Sequence, residues 1–135
     1  MKILIDTNVI IDTLSIRDPY NEYSDKIFEL TAKEIIEGYM LTSSVTDVYF
    51  LLRKQFSDTE CRTKIETLIS LLQIIEVTKV DCFNAIKSPV RDFEDALISV
   101  CADRENLDFI ITRDVEFLKL QKSVSPSEFL VKFNF

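Results

Sequence analysis

Four aspartates, Asp6, Asp47, Asp95 and Asp114, fall where alternating strands and helices would gather them. Asp6 follows the apolar run Ile3-Leu4-Ile5, and Asp114 follows Phe109-Ile110-Ile111-Thr112. Asp47 is expected in the first turn of a helix opening at Ser44, and Asp95 in the first turn of one opened by Asp92. Carboxylates crowded into a pocket repel one another unless protons or cations compensate. Hard oxygen ligands select magnesium or manganese. Facing a phosphodiester, such a site hydrolyses it, because a metal lowers the pKa of a bound water. A second ion, at about 3.5–4 Å, would stabilise the leaving oxygen. No protein nucleophile is needed. Taken singly, Asp47, Asp95 and Asp114 also read as helix-capping or first-turn acids, which the helix dipole favours, and Asp92 also reads as an N-cap. Ser44-x-x-Asp47 resembles a capping box with aspartate in place of glutamate. Asp6 has no such explanation at the end of a buried strand.

Composition narrows the chemistry further. The chain has no histidine, which excludes Ser-His-Asp and Cys-His nucleophile systems and any histidine general base. A single glycine, Gly38, excludes a P-loop and a GxGxxG dinucleotide loop. Cys61, Cys82 and Cys101 are odd in number and form no CxxC pair, so a disulfide framework is not expected and a reducing cytoplasm fits. The net charge of −7 argues against nonspecific coating of nucleic acid or of an anionic membrane. It leaves open nucleic acid bound where cations neutralise phosphate. No stretch approaches the roughly 18 apolar residues of a membrane span. The opening MKILIDTNVIIDTL is interrupted by Asp6 and Asp12 and reads as mature structure rather than a signal peptide.

The elements that must position these acids follow from the apolar pattern. Short strands are expected at Ile3–Ile5, Tyr39–Thr42, Ile74–Val77, Phe109–Thr112 and near Val124. Helices are expected at Asn8–Leu14, from Pro19 to about Glu37 with Gly38 as its cap, from Ser44 toward Phe56, and from Asp58 past Leu68 to Leu72. Further helices open at Thr78, at Asp92, near Val115 and, through the capping box Ser125-Pro126-Ser127-Glu128, at the C-terminus. The helix after Asp92 is apolar nearly all round and is expected to be buried. No linker or repeat interrupts the chain, so residues 1–135 are read as one domain. Alternating strands and helices predict an α/β fold whose parallel sheet is covered on both faces, with its site at the carboxyl ends of the strands. Asp6, Asp47 and Asp114 would share that edge, within reach of Asp95.

Three segments then carry a family resemblance. MKILIDTNVIID resembles the opening motif of the PIN-domain family, a hydrophobic strand running into Asp-Thr-Asn. DFEDALISVCA resembles its internal motif, and FIITRDVEFL its last one, a strand ending in Thr-Arg-Asp. LTSSVTDVYFLLRK sits at the second acidic position. The ordered set spans nearly the whole chain and implies an α/β/α sandwich around a central, mainly parallel sheet of four or five strands. It implies a magnesium- or manganese-dependent ribonuclease of the VapC toxin kind, leaving 5′-phosphate and 3′-hydroxyl ends. Asp6 and Asp95 would be the principal metal ligands, with Asp114 completing the set directly or through water. Asp47 departs from the glutamate that many toxin-like members carry. Asn8 and Thr112 would orient Asp6 and the site water, and Asp92 is a secondary candidate. Asp12 recurs in such openings but reads here as a solvated helix face. The resemblance also implies an antitoxin whose tail reaches the acidic pocket, and a homodimer.

Candidate phosphate contacts are Arg53, Lys54, Arg91, Arg113, Lys119 and Lys122. Arg113 adjoins Asp114 and Arg91 adjoins Asp92, so both are expected near the pocket. The aromatic-rich stretch Tyr49–Phe56 and Tyr20, Tyr23, Phe28 and Tyr39 read mainly as core, with part available to a dimer or protein partner. A competing function is a PIN-like module that binds RNA or protein without cleavage, motivated by Asp47 and the net charge. A receiver-type phosphoacceptor fails because no acid ends the third strand, and an Asp-x-Asp phosphohydrolase fails because Asn8 takes the second place.

Overall fold

The computed structural model describes all 135 residues. The apolar run at the N-terminus forms β1 (Lys2–Ile5), followed by α1 (Thr7–Leu14) and α2 (Asn21–Ala32). Then come β2 (Glu37–Leu41), α3 (Thr42–Leu52), α4 (Asp58–Leu71) and β3 (Gln73–Ile75). The second half contributes α5 (Lys79–Lys87), α6 (Phe93–Arg104), β4 (Phe109–Ile111), a 3₁₀ turn (Phe117–Lys119), β5 (Ser123–Val124) and α7 (Pro126–Lys132). The sheet order is β3-β2-β1-β4-β5, and every pairing is parallel. From β1 the chain builds outward through β2 and β3, then returns to the other side of β1 with β4 and β5. The order therefore reverses between β1 and β4, where open α/β sheets place their sites.

Burial divides the core into two layers. Ile3 and Ile5 point to one face and pack with Val9, Ile10, Ile27, Val48, Leu68 and Phe129 from α1, α2, α3, α4 and α7. Leu4 points to the other and packs with Ile98, Cys101, Ala102 and Phe117 from α6 and the 3₁₀ turn. The alternation within β1 thus serves both layers of the expected sandwich.

Several local expectations are corrected. The second helix stops at Ala32 instead of near Glu37, and the chain turns through Glu34 at φ 57°. Gly38 consequently lies inside β2 and caps nothing. Its lack of a side chain serves packing, because a Cβ there would meet Leu72 Cδ2 at 2.6 Å and Thr31 Cγ2 at 3.0 Å. Ser44 is a buried residue within α3, whose N-cap is Leu41 with no side-chain cap, so the supposed capping box does not form. Asp47 is the sixth residue of α3 and lies in its second turn. Ser57, rather than Asp58, caps α4. The helix opened by Asp92 is buried on one side only, with Phe93, Asp103 and Arg104 exposed. On α5, Phe83 and Ile86 are exposed.

One ion pair fastens the α5–α6 layer. Asp81 closes a capping box with Thr78 and is almost fully buried. It accepts hydrogen bonds from Arg104 Nε at 2.9 Å and Nη2 at 3.0 Å, and Arg104 Nη2 also reaches the Glu76 carbonyl at 2.7 Å. Arg104 holds the Asp81 carboxyl down at about 2. A depressed carboxyl stabilises the fold above its unfolded pKa near 4, and the contribution disappears as pH falls toward 2. Asp81→Ala should therefore lose about 2 kcal/mol in urea unfolding at pH 7. The gap from wild type should narrow between pH 4 and pH 2; a gap independent of pH would show that lost packing, not lost charge, carries the effect.

Candidate metal-dependent active site

At the β1–β4 reversal the backbone itself brings two acids together. The Asp6 amide donates to the Ile111 carbonyl at 2.9 Å, extending the β1–β4 ladder by one rung. Asp6 thereby lies beside Thr112 and also becomes the N-cap of α1. Its Oδ1 accepts from the Thr7 amide at 2.8 Å, and its Oδ2 from the Thr112 hydroxyl at 2.8 Å and Asn8 Nδ2 at 3.2 Å. The fully buried Thr112 hydroxyl accepts in turn from the Asp114 amide at 3.1 Å. Asn8 Oδ1 accepts from the Arg113 amide at 3.3 Å. Asp114 folds its Oδ1 onto the amides of Glu116 (2.9 Å) and Phe117 (3.4 Å), so the hydrogen bonds of its carboxylate all fall on that oxygen. Short polar side chains thus hold the two acids in fixed orientation.

A cavity of about 460 Å3 opens over these residues. Asp6, Asp47, Asp95 and Asp114 all line it, together with Thr7, Asn8, Arg17, Phe50, Leu51 and Glu94. Asp47 and the apolar Phe50 and Leu51 come from α3, while Glu94 and Asp95 come from the first turn of α6 across the sheet edge. Asp92 does not line this cavity. It is the N-cap of α6, accepting from the Asp95 amide at 3.0 Å, and faces an adjoining cavity that shares Asp95.

Arg113 is placed differently from its expected position. Its guanidinium forms a two-pronged pair with Asp12 and stacks 3.9 Å from the centre of the Tyr20 ring. Only its backbone serves the site, through Asn8. Asp12 is fully buried and ion-paired, not a solvated helix face. Of the other cations expected to meet phosphate, Lys119 pairs with Glu116 and Lys122 with Asp103, and Arg53 donates to the Phe56 carbonyl. Two wall residues escape sequence reasoning. Glu94 stands beside Asp95 in Asp-Phe-Glu-Asp, where two adjacent acids in a first turn are a signal. Arg17 lies in a connection between helices that carries none.

Crowding shows in the titration of the acids. Burial raises the Asp6 carboxyl above the usual range, with the Asp114 charge adding to it and the Thr112 and Thr7 hydrogen bonds opposing it. Glu94 is raised first by burial, then by Asp47 and Asp6. Asp95 is pushed up to about 7 by burial and by Asp92, Asp114, Asp6 and Glu94. Such a cavity favours a cation. No three of its carboxylates converge into a cage that would hold an ion by themselves. Magnesium does not demand one, since it takes one or two carboxylates and keeps several waters. Thr7, on the cavity wall, has a buried hydroxyl without a protein partner, suited to meet such a water. The donor set is all oxygen, so the residues present fit a hydrated hard cation.

A family model of the PIN domain matches residues 2–116. The chain belongs to the PIN-domain family. Ribonuclease VapC1 of Aquifex aeolicus is 28% identical over 141 residues, covering 98% of this chain and 96% of that protein. The sarcin-ricin loop cleaving toxin VapC20 of Mycobacterium tuberculosis superposes with a TM-score of 0.70 at 14% identity, covering 87% of this chain and 93% of that one. A toxin–antitoxin complex from Klebsiella pneumoniae gives a TM-score of 0.68 at 22% identity, covering 91% of this chain and 96% of the matched one. These likenesses establish the PIN α/β/α fold with its parallel five-stranded sheet.

Two predictions follow from the electrostatics of this PIN cavity. A carboxyl whose folded pKa is raised costs nothing below its unfolded value near 4 and is fully penalised above its folded value. Asp95→Asn should thus stabilise the metal-free protein by about 1–2 kcal/mol at pH 8, after allowing for solvent screening, and by almost nothing at pH 4. Chemical denaturation at the two pH values measures this; an equal gain at both would place the benefit in helix capping. Thr112→Val removes a hydrogen bond that lowers the Asp6 pKa. Manganese titration by thermal shift should show weaker binding in the variant, with the deficit larger at pH 6 than at pH 8.

Proposed function

We propose that this chain is an endoribonuclease that uses magnesium or manganese to hydrolyse RNA phosphodiester bonds, and that it is the toxin of a type II toxin–antitoxin pair. The observation that carries the reading is the five-carboxylate cavity at the β1–β4 reversal, in which burial first and neighbouring charges second raise the pKa of Asp6, Glu94 and Asp95. The relatives support it. The Aquifex protein is a ribonuclease, the Mycobacterium tuberculosis protein is a sarcin-ricin loop cleaving toxin, and the Klebsiella structure is a toxin–antitoxin complex.

In this reading Asp6, Asp95 and Asp114 would hold the cation directly or through its waters, and Asp47 and Glu94 would add negative charge from opposite walls. Bound there, a divalent ion would supply Lewis acidity toward a water and the phosphate. Thr112 and Asn8 favour the ionised form of Asp6 and orient it, the task of groups that surround metal ligands. Phe50 and Leu51 give the rim an apolar surface on which a base can rest. An antitoxin partner is proposed with the same reading, since a chain that hydrolyses cellular RNA has to be restrained until needed.

The second reading, a PIN module that binds without cleaving, draws on the short Asp47 side chain and on the absence of a three-carboxylate cage. One experiment separates the two. Purified protein is incubated with labelled mixed-sequence RNA and manganese beside Asp6→Asn. Cleavage by wild type, abolished by EDTA and reduced at least about 100-fold by the substitution, is the expected result. Equal cleavage by both proteins would overturn the site. Manganese binding without cleavage would favour the module.

A further inference from the structure

The chain has six arginines, and four of them are engaged. Arg62 pairs with Asp58, Arg104 with Asp81 and Arg113 with Asp12, and Arg53 donates to the Phe56 carbonyl. Arg17 and Arg91 alone make neither an ion pair nor a side-chain hydrogen bond, and they line the acidic cavity and the cavity adjoining it, respectively. Arg17 is the one basic residue in the wall of the acidic cavity. Arg91 lines the adjoining cavity, which is joined to the first through Asp95. Arg17 belongs to the α1–α2 connection on one face of the sheet, and Arg91 to the α5–α6 connection on the other.

The backbone of Arg17 is anchored although its side chain is free. Its amide donates to the Asp12 carbonyl at 2.9 Å, and its carbonyl accepts from the Asn21 amide at 2.9 Å. Ile16 before it adopts φ 52°, which turns the chain off the end of α1. An arginine fixed beside five carboxylates and bonded to none is free to fork onto an oxyanion. The acids of the cavity repel a phosphodiester, and a divalent cation offsets only part of that charge.

We propose that Arg17 and Arg91 are the phosphate contacts that carry the RNA backbone across the sheet edge, from one layer to the other, with the scissile phosphate between them over Asp6 and Asp95. This rests on the ribonuclease reading and assigns the strand path through that site. Arg17 and Arg91 are positioning residues: they hold phosphates and take no part in proton transfer.

The test measures binding of a 5′-labelled mixed-sequence single-stranded RNA, with manganese present, to Asp6→Asn, which does not consume the probe. Arg17→Ala and Arg91→Ala are added singly to that background, with Lys33→Ala, on the opposite edge of the sheet, as a control for lost charge. Each arginine variant is expected to weaken binding roughly tenfold. Each should also lower the slope of log K against log salt by about 0.7. Arg17→Lys should recover part of the affinity, as a point charge replaces a fork. In otherwise wild-type protein, Arg17→Ala should leave the melting temperature unchanged and bind manganese at least as tightly, since a positive charge has left the cavity. Arginine variants with affinity and slope unchanged, or matched by Lys33→Ala, would overturn the assignment while leaving the ribonuclease reading standing. Failure of every protein to bind, together with no cleavage by wild type, would overturn both.

Discussion

The hydrogen bond from the Asp6 amide to the Ile111 carbonyl is the constraint on which the site depends. It is the last rung of the β1–β4 ladder and the first point beyond both strands. On either side of it the chain leaves the sheet in different directions, into α1 after Asp6 and into the turn toward Phe117 after Thr112. Register therefore does the positioning. Ile5 pairs with Ile111, so residue 6 faces residue 112, and a threonine there is the right length to reach the Asp6 carboxylate and the Asp114 amide together. A slip of one residue would send each of these side chains to the other face of the sheet.

Around that rung the molecule keeps its charges in two regimes. Away from the cavity, acids that lie deep are matched to arginines. Asp12 is paired with Arg113, which is further held against Tyr20, and Asp81 is paired with Arg104. Inside the cavity the acids are left without cations. Asp6 is satisfied by hydrogen bonds alone, and Asp95 and Glu94 carry the cost of burial, and after it of neighbouring negative charge, in raised pKa values. A fold stabilised throughout would have neutralised them. Unpaired acids at one edge, beside paired acids elsewhere, reflect the usual exchange of stability for a functional site.

The same contrast explains what could be read from the sequence. The strands, the parallel sheet and the four aspartates at its edge were legible because they follow from short apolar runs and from what comes directly after them. Asp6 and Asp114 needed only the rule that sites gather at strand ends. The misreadings concern partners far apart in the chain. Asp12 looks solvated on a helical wheel, and only Arg113, 101 residues away, makes its burial tolerable. Arg113 looked available to phosphate because its partner was invisible. Gly38 looked like a helix cap, but its role is set by Leu72, which no local pattern names. Arg17 had no signal at all, since being unpaired is a property of the folded surroundings.

Glu94 and Asp47 make the two walls of the cavity one electrostatic unit. After burial, the strongest influence on Glu94 is the Asp47 charge, although one residue sits in the first turn of α6 and the other in the second turn of α3. Asp47 is one methylene shorter than the glutamate that the family resemblance leads one to expect there. Glu94 supplies a longer acidic arm from the facing wall. The charge of the cavity is consequently distributed over both layers of the sandwich and does not hang on either helix alone. A cation at its centre would draw α3 and α6 toward a common point, joining the two halves of the sheet edge through the ion instead of through protein contacts.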